Sequence, residues 1–133
     1  MANNTVTYGS GIPQMGVVPI AITLAGGVSA HRFILGDGTN YCGSSAPTTD
    51  LSAGVTINAV TSAQVTNSQN TTNLAVAGIV LVECGSAITQ YAQIAVDSVG
   101  RACTYSSGIV RGKALATALG SGDIIPVLLN PVG

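Results

Sequence analysis

Short apolar runs alternate with glycine- and serine-rich punctuation along most of this chain, and few of the runs carry a helical period. Residues 16–24 (GVVPIAITL), 31–36, 53–60, 74–83, 90–97, 101–106 and 123–130 are rich in Val, Ile, Thr and Tyr and are bounded by glycine. That pattern predicts β-strands. Asp37-Gly38 and Asp97-Ser98-Val99-Gly100 lie between such runs, where hairpin turns belong. Pro19 and Pro126 fall inside two of the runs. Proline has no N–H to give a ladder, so both strands are expected at sheet edges or at bulges.

Two polar stretches interrupt the pattern. Residues 1–16 and 61–73 are rich in Asn, Thr and Ser and have no period, which predicts an extended N-terminal arm over 1–15 and a long exposed loop over 61–73. The remainder, 16–133, has the length of a single β domain. Laying Phe33 on Ile94 also lays Cys42 on Cys103, with an Asp and Gly turn between them in each case: 33-FILGDGTNYC-42 against 94-IAVDSVGRAC-103. This weak self-similarity predicts two pseudo-repeats, about 16–60 and 74–130, joined by the polar loop 61–73, with Cys42 and Cys103 in equivalent places. The chain closes with 112-GKALATALGSGDIIPVLLN-130. There Ala116–Leu119 suit a turn of helix or an irregular bend, Gly120–Asp123 reverses the chain, and an apolar strand returns. The segment reads as a closing hairpin whose broad tip, Ala114 to Leu119, is small enough to pack against a neighbour. The fold class expected is all-β, a small barrel or sandwich of two similar halves.

Charge alters the picture more than length does. Only 7% of residues are charged and 47% are apolar, with a mean hydropathy of +0.51. A soluble monomer ordinarily carries about a quarter charged residues, so this composition favours a surface buried against copies of itself or a larger scaffold. The net charge of −1 and the four cations Arg32, Arg101, Arg111 and Lys113 make no basic stripe for nucleic acid. They make no polybasic patch for a membrane surface either. The run 74–82 is too short to span a bilayer, and the first residues lack a signal-peptide pattern, so the product is expected in the cytoplasm where it is made.

Candidate chemistry is sparse. Cys42, Cys84 and Cys103 are an odd set without CxxC spacing; reduced thiols are expected, with a disulfide left open. One histidine, His31, with no ligand cluster gives a metal site no support. The same residue is the only imidazole available as a base, and no serine or cysteine elbow accompanies it. Of the acids Asp37, Asp50, Glu83, Asp97 and Asp123, several sit at turn positions. The two Gly-Ser-Gly sequences at 9–11 and 120–122 precede no long helix and no phosphate-binding lysine. No catalytic role, cofactor or metal is therefore expected.

Taken as a whole, 108-GIVRGKALATALGSGDIIPVLLN-130, together with 78-GIVLVECGSAITQYAQIAVDSVGRACTYSSG-108, resembles the bacteriophage capsid cement, or head decoration, proteins of the small duplicated β type. The N-terminal half follows the same order more loosely. The resemblance implies a non-enzymatic virion protein, made in the host cytoplasm, that binds the outer surface of the assembled head. It implies the major capsid protein and further copies of the chain as partners, in a homotrimer that stabilises the shell. On that reading Val6, Tyr8, Ile12 and Pro13 are candidate contacts of the arm to the capsid or to a neighbour. Two alternatives stay open: another virion subunit of tail or fibre, and a small receptor- or glycan-binding module using Tyr8, Tyr41, Tyr91 and Tyr105.

Overall fold

The computed structural model describes residues 16–130, and in it the alternating runs form strands that pair antiparallel. In chain order the elements are β1 (Gly16–Ala21), β2 (Gly27–Val28), β3 (Phe33–Leu35), β4 (Ser52–Thr56), β5 (Val60–Thr61), α1 (Ser62–Thr66), β6 (Thr71–Ala77) and β7 (Ile79–Glu83). They continue with β8 (Gln93–Val96), β9 (Ala102–Thr104), β10 (Gly112–Ala114) and β11 (Ile124–Leu129). The fold is all-β apart from the one-turn helix, as the pattern predicts.

One sheet runs β3-β4-β6-β1 and another runs β9-β8-β10-β11-β7, while β2 pairs with β5. A bridge between Ile34 and Tyr41 adds one position to the outer side of β3. With that bridge counted and the β2–β5 ribbon set aside, residues 16–77 and 79–130 lay down the segments of their sheets in one and the same order. In each, the first strand pairs with the last, the last with the fourth, the fourth with the second, and the second with the third. Gly78, at φ +85°, stands between the two runs. The left-handed conformation is open to glycine at little cost, and here it turns the chain from one sheet into the other.

The two sheets share one core. Phe33, Val55 and Ala75 of the first pack with Val80, Val82, Ile94, Val96, Ile125 and Val127 of the second. Alternation decides which residues enter it: along β11, Ile125, Val127 and Leu129 are buried while Ile124 and Leu128 face out. A fully buried aliphatic side chain of this kind contributes about 1.5–3 kcal/mol. A second, smaller core lies on the other face of the first sheet, where Ile34 and Leu74 meet Ile22, Val28 and Val60, with Val65 of α1 packed against them. Around Ile34 and Leu74 the first sheet is thus buried on both faces, although Val17 and Val18 of its edge strand β1 stay exposed; the second sheet is buried on one.

Polar ties cross between the two runs. Phe33 N–H donates to the Gly100 carbonyl, Glu83 N–H to that of His31, and Ile109 N–H to that of Thr48. Gly43, at φ +93°, lies so close to Asp97 that any Cβ there would collide with the Asp97 carbonyl oxygen.

Several sequence expectations change. Residues 61–73 are not a long loop: Thr61 accepts a hydrogen bond from Gln64 N–H while the Gln64 side chain accepts one from Thr61 N–H. This capping box starts α1, and β6 already begins at Thr71. The stretch lies within the first run of strands rather than between the two. The run 74–83 is two strands, parted at Gly78.

Pro19 is on an edge strand as expected, but Pro126 is in β11, flanked by β7 and β10. The interior strand tolerates it because the acceptor left without its N–H lies at an exposed site and is served there. Leu115 N–H donates to the Pro126 carbonyl, and the Leu115 carbonyl, facing the missing N–H, accepts from Gln90 Nε2 at 3.1 Å. Residues 116–119 form an irregular bend bridged to Ile88 through Ala118. Ala114 and Ala118 are buried within the chain itself, so the tip offers a neighbour Leu119, 86% exposed, and not its alanines.

Cys42 and Cys103 both follow the turn of a hairpin, but not at the same register. Cys42 N–H donates to the Phe33 carbonyl, whereas Cys103 stands opposite Ala95, one position away from the partner of Ile94. A one-residue slip turns a side chain to the other face. Accordingly, Cys42 is buried and Cys103 half-buried.

Candidate interaction surface

The groups capable of chemistry are dispersed and held by the fold. His31 has φ +66°, its N–H donates to the Thr56 carbonyl and its own carbonyl accepts from Glu83 N–H. These two bonds fix it where the sheets meet. Its Nδ1 is buried with no hydrogen-bond partner, and the residue lines an apolar cleft of about 220 Å³ with Ile57, Ile79, Val80 and Leu81. None of those neighbours is a nucleophile or an acid.

The three cysteines are free thiols. Burial pushes each of them up, Cys84 furthest, to about 11, with Asp123 and Glu83 adding to the effect. Raised thiols are poor nucleophiles at neutral pH.

The acids work as struts. Asp37 accepts from Thr39 Oγ1 and Thr39 N–H, and the Thr39 side chain holds its carboxyl below the usual value. Asp97 accepts from Val99 N–H and pairs with Arg101 at 3.0 Å. Asp123 accepts from Leu119 N–H at 2.7 Å, fixing the tip of the last hairpin. Burial by itself would raise Asp50, but the backbone N–H groups of Ala46, Ser45 and Gly43, with Arg111 nearby, hold it lower. Among the described residues no group of three or more His, Cys, Asp or Glu stands together as metal ligands would. Likewise, no helix among them is long and apolar enough to cross a membrane.

The cations are equally committed. Arg32 pairs with Glu83 at 3.2 Å and lies over the Tyr41 ring at 5.2 Å. Lys113 lies over Tyr91 at 5.8 Å. Arg111, 1% exposed, donates to the Pro47 carbonyl; it fastens the loop after Cys42 to the second sheet, a role that an arginine isolated among apolar residues gave no hint of. Tyr41 accepts from Ser29 N–H and Tyr105 donates to the Gly108 carbonyl, so these two rings are tied into their own loops. Tyr91 is exposed. Tyr8, like Val6, Ile12 and Pro13, lies outside the described residues.

What the surface does carry is an apolar face. On the outer side of the second sheet Ile79, Leu81, Ile124 and Leu128 are all exposed. Register sets them in cross-strand pairs, Ile79 with Leu128 and Leu81 with Pro126, and places Ile124 opposite Glu83. The apolar cleft beside His31 adjoins this face through Ile79 and Leu81. Outward aliphatic side chains gathered on two neighbouring strands are the surface feature that asks for a partner. The sequence placed these residues on strands but could not say which sheet face would remain uncovered.

No protein-family model matches the chain, and no curated protein does. Among solved structures, the chain is similar in fold to the N base of the head fibre gp8.5 of bacteriophage phi29, with a TM-score of 0.63 and 16% identity, over 90% of this chain and 97% of that one.

Proposed function

We propose that this chain is a structural subunit of a bacteriophage head, a non-enzymatic protein that binds the outer surface of the assembled shell and stabilises it. In this reading its partners are the major capsid protein and two further copies of itself in a homotrimer, and it is made in the host cytoplasm. It takes no cofactor, metal, nucleic acid or membrane. The observation that carries the reading is the fold shared, along nearly the whole chain, with the base of a phage head fibre. The exposed apolar face of the second sheet and the low charge of the chain support it, because both suit a surface covered in an assembly. Each copy need add only modest contact area, since many copies on one lattice multiply weak contacts. Val6, Tyr8, Ile12 and Pro13 are the proposed contacts of residues 1–15 to the shell or to a neighbouring copy.

The test is co-sedimentation of the purified protein with empty heads built from the phage's major capsid protein. Saturable binding in multiples of three, with a raised melting temperature of the heads, is expected. Protein that stays in the supernatant at all concentrations overturns the reading.

The same likeness favours a second reading, in which the chain is the base of a fibre rather than a shell stabiliser. Electron microscopy of decorated heads separates the two. Unchanged head stability with projections rising from the bound protein favours the fibre base.

A further inference from the structure

The two sheets have the same strand order but not the same cover. In the first, the connection over residues 57–70 carries β5 and α1 and lays Val60 and Val65 over Ile34 and Leu74. Its counterpart in the second, residues 115–123, is shorter, and its Leu119 faces solvent. The outer face that Ile79, Leu81, Ile124, Pro126 and Leu128 form is thus the equivalent of a face that the chain elsewhere covers with its own residues over β3 and β6, leaving Val18 of β1 exposed.

The cap of a neighbouring molecule is a poor cover for it. α1 exposes Ser62, Ala63, Gln64 and Thr66, followed by its C-cap Asn67, a mostly polar surface. Residues 1–15 are better matched. They carry no charged side chain, so packing them on an apolar face buries none, and they supply Val6, Tyr8, Ile12 and Pro13. They join the described chain at Gly16, which stands opposite Ala77, two positions before Ile79. The ten residue steps from Val6 to Gly16 span about 34 Å when extended, more than the width of a few strands spaced about 4.8 Å apart. A segment anchored there reaches past its own sheet.

We propose that residues 1–15 of one copy pack across the outer face of the second sheet of the next copy, with Val6 and Tyr8 against Leu81 and Pro126. The inference rests on the homotrimer reading and names its joint. A face packed on itself gives a two-fold dimer, whereas a trimer needs two different patches that meet head to tail and close after three steps. The segment and the face are two such patches, and each copy gives one and receives one.

The experiment uses the full chain in solution, without capsids. One preparation carries Val6→Cys and another Leu81→Cys; they are mixed under mild oxidation, with each alone as the control for native thiols. A disulfide-linked pair of chains appearing only in the mixture is expected, and Leu128→Cys in place of Leu81→Cys gives the same product. Deleting residues 1–15 is expected to shift the mass measured by sedimentation from three chains to one. Absence of the link overturns the proposal, as does a mass unchanged by the deletion. The head-binding reading fails separately: linked trimers that do not co-sediment with heads overturn that reading alone, and chains that bind heads without linking overturn this inference alone.

Discussion

Around Ile34 and Leu74 the first sheet is buried on both faces, whereas the second is buried on one, although their strands are ordered alike. Strand order fixes which edges pair, but it does not say what covers a face. Cover comes from the connections: a capped turn of helix and a two-residue ribbon close over Leu74, and without them Leu128 on the corresponding strand stays 44% exposed. A repeated sheet can therefore serve one purpose as core and another as surface, depending on two loops.

The sharpest way to break this contrast is to truncate one residue from each face. Leu74→Ala is expected to cost about 2–5 kcal/mol, the usual price of a cavity in a closed core. Leu81→Ala is expected to change the stability of the single chain by no more than about 0.5 kcal/mol. Denaturant unfolding of dilute protein measures both, and equal losses would end the distinction between the faces.

A second variant addresses the tie between the two runs. Asp50 accepts from Gly43 and Ser45 N–H and lies near Arg111 of the second run. Asp50→Ala is expected to lower the melting temperature by about 5 °C, and to do so for both sheets together in one transition. The acid limb gives the sign. Asp37 and Asp50 titrate below their ordinary value of 3.8 in the folded chain, so the unfolded chain takes up their protons first. Their stabilising effect is complete above about pH 5 and fades as the pH falls through 3.8 and below. The Asp50→Ala protein should show a shallower loss over that range, measured by thermal unfolding between pH 2 and 6.

Weaker still, Thr61→Ala removes one arm of the capping box and is expected to cost about 1 kcal/mol. Its effect should be local. Amide exchange at Ile22 and Val60 should quicken while Val127 keeps its protection, since only the first sheet carries the cap. The smallest change is expected from Gln90→Ala, which leaves the Leu115 carbonyl to water at an exposed site and should cost a few tenths of a kcal/mol.

Strand positions were legible because period-two alternation and glycine boundaries are local signals, as at 123–130 against the observed Ile124–Leu129. What the chain hides is less local. Gly78 sits in a continuous apolar run and reads as one more strand residue until its φ is known. The Thr61 and Gln64 box is spelled out in the sequence, yet the Asn- and Thr-rich residues around it mask a helix of one turn. Pro126 misled because the rule for proline concerns a missing donor, and a side chain 36 positions away, Gln90, serves the orphaned acceptor. The open face depends on the length of connections relative to one another, a comparison that becomes visible only once the strand order is known.

That order also dictates when the protein can exist during synthesis. The first strand of each run waits for its last: β1 pairs with β6, and β7 with β11. The first sheet can therefore close once Ala77 has emerged from the ribosome. The second holds β7 and β10 without their shared neighbour until Leu129 follows. Non-local pairing of this kind slows folding and leaves edges open to other chains, and in the second sheet the waiting edge is an aliphatic one. A nascent chain stalled between those two points has one sheet closed but bare on its inner face, and another still incomplete.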